Sequence, residues 1–499
     1  MVFTSLKAKL LHIETGGINI VVLNSEQAKD LDFKHLDRIR IIKGKKSAIC
    51  SIDLSRITIK KGEIGIFVEP ELKLNINDND SLLIQGVSKP KGLRAIRHKL
   101  EGKELNKEEL FDITKDIVND ALSEVELTAF IVASYCRGLS LEETFNLTNA
   151  MVQTGEILDF GKGMIFDKHS IGGVPGNRTT MIIIPIIASQ GLKIPKTSSR
   201  AITSPAGTSD TVEVLCPVIL PKNKIKKIVE ELHGCMIWGG SFNLAPADDK
   251  IIKVEKPLSI DAEGQMLASI LAKKVSMGSN IVVIDLPMGP GTKLPTHERA
   301  EHLNEMFMVL GKKLKINIEC IESNGSQPCG NGIGPALEVI DVLKVLTNSP
   351  DLPVDLKEKS LIFAGKLFEM GKKAKKGKGV EMARKILESG QAYEHFKKII
   401  KAQGGNPNVS IKDINIGKHV YELKAKTKGI ITMINNKSLA NIARAAGAPY
   451  NQGAGIFIKA KLSDLVNEND VLMTIHSESR IKLLRAIEVL NEKNIFTIQ

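Results

Sequence analysis

The sequence predicts a multidomain α/β protein with an N-terminal β domain, a helical bundle domain, a large α/β domain and a C-terminal α/β domain. Three observations predict it. A length of 499 residues suits about three domains at roughly 150 residues each. The hydrophobic pattern changes from short β runs to helical spacing near residue 94, and to alternating strand and helix signals from 161. Such alternation indicates a largely parallel sheet.

Residues 1–86 are read as the β domain, because IVVLN, IRIIKG, AICSIDLS, GEIGIFV and LLIQGV are separated by polar turns. Val87–Gly92, with its Pro and Gly, reads as a linker. Over 92–160, Ser123-x-x-Glu126 and Ser140-x-x-Glu143 resemble capping boxes ahead of two short amphipathic helices. The α/β domain is placed at 161–257 and 276–405. It carries strand signals at 163–170, 281–286 and 315–321, and helix signals at 179–190, 297–311 and 335–346. Lys372–Lys378 is a charge run that suits an exposed loop. From 415 to 499 the chain is β-rich again (KGIITMI, GAGIFIKAKL, DVLMTIHS) and closes with a helix over 479–490.

Hydrophobic residues at 42% and charged residues at 25% exclude a wholly disordered chain. The net charge of +12 favours anionic partners, although solvated surface explains much of it. Aromatics at 4% leave few stacking platforms, which argues against a nucleic-acid-binding protein. The six cysteines show no Cys-x-x-Cys spacing, so neither a zinc site nor a disulfide framework is expected. Met181–Ala188, the longest apolar run, is too short to span a bilayer, and the start lacks a signal peptide's apolar region. A cytoplasmic protein with no membrane partner is the expectation.

Four clusters carry candidate chemistry. Asp167–Thr180 (DKHSIGGVPGNRTT) lies between a strand and a helix. Its glycines let backbone N–H groups surround an anion, Lys168 adds charge, and Ser170 and Thr180 add hydroxyls. It fits neither GxGxxG nor the Walker A pattern, and an ordinary βα turn is the bland alternative. Lys196–Asp210 (KTSSRAITSPAGTSD) is rich in hydroxyls, and its Arg200 could grip a phosphate bidentately; the alternative is a capped Ser/Thr loop. In 259–274 (SIDAEGQMLASILAKK), Asp261, Gln265, Ser269 and Lys273 recur every four residues, opposite Met266, Leu267, Ile270 and Leu271. A ligand-facing row or an amphipathic surface helix capped by Asp261 both fit this spacing. Leu286–Lys293 (LPMGPGTK) is a rigid turn ending in Lys293, or simply a tight strand exit.

Taken together, KHSIGGVPGNRTT, SSRAITSPAGTSDTVEV and DAEGQMLASILAKK, in that order, resemble the thymidine phosphorylase family. The resemblance runs from about residue 94 to the C-terminus. The added β domain is similar to that of the long branch, which includes the AMP (nucleoside monophosphate) phosphorylases. The resemblance implies a helical domain rejoined by about 258–275, a phosphate-binding α/β domain and a barrel-like C-terminal α/β domain. It further implies an active site between the helical and α/β domains, a homodimer, and no metal or organic cofactor, inorganic phosphate being a co-substrate. By this resemblance Lys168, Ser170, Thr180, Ser198 and Thr208 match phosphate ligands. Gly173, Ser199, Arg200, Ala201, Ile202, Thr203, Ser204, Thr208, Ser269 and Lys293 match nucleotide contacts. Asp261 falls at the proton donor, and Lys273 matches a base-contacting lysine of the shorter thymidine enzymes. The arginine that reads the pyrimidine in the shorter branch would fall at Val254.

The implied reaction is phosphorolysis of an N-glycosidic bond, through a transition state resembling an oxocarbenium ion. Two substrates stand side by side: thymidine or another pyrimidine nucleoside, giving 2-deoxyribose 1-phosphate, and a nucleoside 5′-monophosphate (AMP, CMP or UMP), giving ribose 1,5-bisphosphate. Phosphoribosyl transfer of the anthranilate type is a rival. It would want Mg²⁺ and acidic residues where Asn177-Arg178 stands.

Overall fold

Alternating apolar residues roll the first 86 residues into a closed barrel, and the rest of the chain builds outward from strand–loop–helix units. The computed structural model describes residues 3–201, 204–258 and 260–499. The barrel strands are β1 (Phe3–Leu10), β2 (Ile20–Asn24), β3 (Arg38–Lys43), β4 (Lys46–Ser55), β5 (Glu63–Ile66) and β6 (Ser81–Gly86), in the order β1-β5-β2-β4-β3-β6. Leu6, Val21, Leu23, Ile39, Ile41 and Ile52 fill its core. Short helices α1 (Ser25–Asp30) and α2 (Val68–Leu74) interrupt it. Strand β1 escaped the sequence reading because its lysines and hydroxyls mask the alternation. It nonetheless closes the barrel by pairing with both β5 and β6.

The bundle helices are α3 (Gly92–Leu100), α4 (Lys107–Val118), α5 (Glu124–Arg137) and α6 (Leu141–Gln153). Both expected capping boxes form, and Asn106–Glu109 makes a third at the start of α4. Glu143 then does more than cap. Its buried carboxylate accepts from Lys99 Nζ at 2.7 Å and from the Leu105 N–H at 2.9 Å. Arg38 of β3 pairs with Glu126 of α5 at 2.6 Å and ties barrel to bundle.

The α/β region comprises β7 (Phe166–Ser170), α7 (Thr179–Ala188), β8 (Ile194–Ser198), α8 (Thr208–Glu213), α9 (Lys222–Leu232), β9 (Gly234–Trp238), α10 (Pro246–Leu258), α11 (Glu263–Ser276), β10 (Ile281–Met288), α12 (His297–Leu314) and β11 (Asn317–Asn324). It continues through β12 (Gly332–Ile333), α13 (Pro335–Leu346), α14 (Val354–Met370), α15 (Gly379–Glu388) and α16 (Gln391–Gln403). Strands β11, β10 and β7 are parallel neighbours, as are β8 and β9, and a parallel bridge between Ile165 and Lys193 joins the two sets. The wholly buried helix α7 packs with α13, α14 and α16 in the largest core. Lys372–Lys378 is a mostly exposed turn between α14 and α15.

The C-terminal part has β13 (His419–Lys424), β14 (Gly429–Ile434), α17 (Asn436–Ala445), β15 (Gly455–Ile458), β16 (Leu465–Val466), β17 (Val471–Ser477), α18 (Arg480–Asn491) and β18 (Phe496–Ile498). Its strands form one sheet ordered β12-β15-β17-β13 and another ordered β16-β14-β18. Because β12 is contributed by the α/β region, the two parts share a sheet.

The chain divides into two compact units: Met1–Thr154 with Pro246–Ser269, and Gly155–Ala245 with Ile270–Gln499. The return to the helical part therefore begins at α10 rather than near 258, because α10 packs on α4 and α5. Among the described residues no helix is long and apolar enough to cross a membrane.

Candidate active site

The parallel strands of the second unit deliver their loops at one sheet edge, their carboxyl ends, where ligands bind in open α/β sheets. Strand alternation sends Asp167 and His169 to one face of β7 and Lys168 and Ser170 to the other. Beyond β7, the loop to α7 lies tight on its neighbours. A Cβ on Gly176 would stand 2.5 Å from Cys329 O, and Gly176 has φ +72°. A Cβ on Gly173 would stand 3.1 Å from Lys293 N, which places the Leu286–Lys293 turn beside this loop. Asn177 holds the loop by donating to Ser170 Oγ at 3.3 Å and to Asp285 Oδ2 at 3.0 Å. Helix α7 then begins, and its N-terminal N–H groups add a positive end.

Lys168 is 2% exposed. Its Nζ donates to Thr179 Oγ1 at 2.9 Å, stands 3.5 Å from Asp285 Oδ2 and lies 5.1 Å over the Phe363 ring. Burial pulls its pKa down to about 8, with Asp285 opposing and Lys359 assisting. Burial alone would raise the Asp285 carboxyl, but Lys168 and Lys359 hold it well below the usual carboxylate range. On the other face, Asp167 pairs with Lys274 of α11 at 2.6 Å and with Lys196 of β8 at 2.9 Å. Burial brings Lys274 down to about 7 against the pull of Asp167. Burial, and then the surrounding lysines, push His169 well below its ordinary value, so its imidazole is neutral at pH 7. Four lysines thus stand against two aspartates around β7, a buried surplus of positive charge. A dianion is its natural complement.

The second loop, 199–207, follows β8. Ser198 Oγ lies 2.7 Å from Ser209 Oγ, and Asp210 Oδ2 accepts from the N–H groups of Ala201 at 2.7 Å and Gly207 at 2.8 Å. Arg200 already has partners within the chain. Its guanidinium fork is filled by Glu213, at 2.6 and 2.8 Å, with Asp210 at 3.2 Å, and it stacks on Trp238 at 5.1 Å. These contacts brace the loop. Arg178 joins the two loops instead: Nε meets Glu338, Nη2 meets Ala206 O, and Nη1 reaches Thr208 Oγ1 at 3.5 Å. Burial raises the Glu338 carboxyl even though Arg178 opposes it.

The second unit therefore carries Lys168, Ser170, Gly173, Thr180, Ser198, Ser199, Arg200, Ala201, Ser204, Thr208 and Lys293 on or beside these strand-end loops, together with Lys273. Ile202 and Thr203 lie outside the described residues. Asp261 and Ser269 belong to the first unit. The even row Asp261–Gln265–Ser269–Lys273 is not a uniform face: Asp261 is exposed, Gln265 is buried, and Ser269 and Lys273 are half-buried. Nor is Asp261 the residue that closes the first helical turn, since the Met266 N–H bonds Ala262 O at 2.9 Å. Sequence reasoning passed over Asp285, Lys359, Lys274 and Glu338. The only signal for Asp285 was a lone carboxylate inside an apolar strand.

The comparisons agree along the chain. The helical bundle domain of the glycosyl transferase family matches residues 93–155, its a/b domain matches 162–393, and the pyrimidine nucleoside phosphorylase C-terminal domain matches 430–496. An AMP phosphorylase from Thermococcus sibiricus is 44% identical over 96% of this chain and 95% of its own length. One from Methanococcoides burtonii is 43% identical over 99% and 97%. AMP phosphorylase 1 from Archaeoglobus fulgidus is 44% identical over 94% and 93%. In fold alone, anthranilate phosphoribosyltransferase from Thermus thermophilus superposes with a TM-score of 0.53 at 20% identity, covering 62% of this chain and 99% of that one. End-to-end likeness at this identity places the chain in the thymidine phosphorylase family, in its long branch, as a pentosyltransferase.

Proposed function

We propose that this chain catalyses reversible phosphorolysis of a nucleoside 5′-monophosphate, with AMP the first substrate to test, giving free base and ribose 1,5-bisphosphate. The observation that carries the choice of nucleotide over nucleoside is the full-length likeness to relatives named AMP phosphorylase. Valine at 254, where the shorter branch has its pyrimidine-reading arginine, agrees with it.

In this reading inorganic phosphate, the co-substrate, is held by the loop after β7. Lys168 and the first N–H groups of α7 neutralise it, and Ser170, Thr180, Ser198 and Thr208 supply hydroxyls. One phosphate oxygen forms a bond to C1′ while the C1′–N bond breaks. The bonding pair leaves with the base, which takes a proton from Asp261. No covalent enzyme intermediate is needed; positioning and charge supply the rate. The loop 199–207, Ser269 and Lys293 contact the nucleotide, and no cofactor takes part.

Thymidine, uridine, AMP, CMP and UMP are to be assayed side by side with and without phosphate, and with a chelator. The expected result is phosphate-dependent, chelator-insensitive release of base from AMP, with a sugar bisphosphate resolved by ³¹P NMR. Faster turnover of thymidine than of any monophosphate would overturn the substrate assignment. Chelator-sensitive consumption of a sugar diphosphate would instead favour the phosphoribosyltransferase chemistry.

A further inference from the structure

The C-terminal part grips one loop of the α/β region at several points. That loop, Gly325–Asn331, follows β11. Asn436 Nδ2 donates to Gly325 O at 2.8 Å, and the Leu462 N–H donates to Gln327 Oε1 at 2.8 Å. The Lys461 ammonium donates to Pro328 O at 2.9 Å, to Gly330 O, and to Asp355 Oδ2 at 3.1 Å. Asp355 in turn accepts the Gly330 N–H at 3.1 Å.

The same loop supports two of the strand-end loops. The Cys329 N–H donates to Pro175 O at 3.1 Å. Cys329 O and Gly332 O lie so close to Gly176 that a Cβ there would stand 2.5 and 2.8 Å from them. On the other side the Gly325 N–H bonds Met288 O at 2.7 Å, and Ser326 N would meet a Cβ on Gly289 at 2.7 Å. A shift of Gly325–Asn331 by an ångström therefore moves Pro175–Gly176.

We infer that the C-terminal domain is a positioning element for the phosphate loop, and that Lys461 is its principal positioning residue, acting through Gly325–Asn331. This rests on the reading of the loop after β7 as the phosphate cradle. Lys461 cross-links two carbonyls and a carboxylate whose lone pairs would otherwise repel one another. Without the ammonium the loop relaxes, and the N–H groups of the cradle no longer point at one place. Lys461 touches no reacting atom, so its loss is felt as phosphate affinity rather than as turnover at saturation.

The experiment is Lys461→Ala in the full chain, with phosphate KM and kcat from initial rates, phosphate Kd by calorimetry, and a thermal melt. Lys459→Ala is the control, since Lys459 lies on the same domain facing Glu422 at 3.9 Å. Phosphate KM and Kd are expected to rise about tenfold in Lys461→Ala, with kcat at saturation nearly unchanged and the control like wild type. Ammonium chloride, whose cation fits the emptied cage of oxygens, is expected to restore phosphate KM. Tetramethylammonium chloride at equal ionic strength is not. An unchanged phosphate KM and Kd overturns the inference. So does a rise that both salts reverse equally, or a lost activity that follows only a lowered melting temperature. Should Lys461→Ala not fold, Asn436→Ala is measured in its place, with a smaller rise in phosphate KM expected and an unchanged KM counting against the inference. A wild-type chain that binds no phosphate brings down the cradle reading and this inference together, whereas a phosphate-dependent wild type matched by Lys461→Ala brings down this one alone.

Discussion

Replacing Lys168 with methionine separates a lysine kept for its ligand from a lysine kept for the fold. The side chain is 2% exposed, and its pKa stands at about 8 against an ordinary 10.5. That difference corresponds to roughly 3 kcal/mol by which the fold disfavours the charged ammonium. Between these two values the unfolded chain binds more protons than the folded one, so this group's contribution to stability rises with pH across the window. At pH 7 its cost is present in full. Methionine removes that cost while filling much of the same volume. Asp285 is not stranded by the change, since it keeps Lys359 at 3.0 Å, Asn177 at 3.0 Å and Ser323 at 2.5 Å. The thermal midpoint of Lys168→Met is therefore expected to equal or exceed that of wild type. Phosphate binding should move the other way. Losing one charge-assisted hydrogen bond of about 1.5–3 kcal/mol raises phosphate KM about 10- to 150-fold. In wild type, phosphate KM expressed per phosphate dianion should be flat below about pH 8 and rise above it as Lys168 loses its proton. In the variant that alkaline rise should vanish. Initial rates of AMP phosphorolysis against phosphate, across that pH range, and parallel melts are the assay. An unchanged phosphate KM, the same alkaline rise in the variant, or a clearly lowered midpoint would each refute the reasoning.

Asp261→Asn should lower kcat by about 10²- to 10⁴-fold with little effect on phosphate KM, as expected for a lost proton donor; near-normal turnover would remove Asp261 from the chemistry. Arg200→Ala and Glu213→Ala should behave alike, each raising nucleotide KM and sparing phosphate KM, because the two side chains form one brace. Opposite effects on phosphate KM, measured by steady-state kinetics, would return Arg200 to direct phosphate contact. Asp167→Asn should destabilise the fold by about 3–5 kcal/mol in denaturant melts, because it leaves the buried ammoniums of Lys196 and Lys274 without their carboxylate. Lys274→Met, which leaves Asp167 paired with Lys196, should cost far less; equal losses would show that the cluster is not organised around Asp167.

What the sequence disclosed and what it hid divide along the range of the interaction. Ser123 and Ser140 announced their helices because a capping box is a contact three residues long, and both boxes form. The glycines after β7 were legible for a similar reason, since a backbone that must pass close to its neighbours excludes a side chain locally. The charges that surround Lys168 were not legible. Asp285, Lys359 and Lys274 reach β7 from α/β segments far along the chain, and no spacing rule links them. The Arg200–Glu213 pair was not legible either, because a carboxylate offers a guanidinium the same fork of oxygens that a phosphate does. The row from Asp261 to Lys273 does not form one uniform face. A four-residue period separates two faces only when one of them meets solvent, and α11 is covered on most sides, with Gln265 among its buried residues. On the proposed reading, then, the chemistry of phosphate binding lies less in the motif Lys168–Thr180 than in the ammonium surplus that tertiary packing assembles around it. Measuring phosphate affinity in Lys359→Met, a residue outside every sequence motif, tests that view directly: a rise comparable to that of Lys168→Met is expected, and a wild-type value would confine the chemistry to the motif.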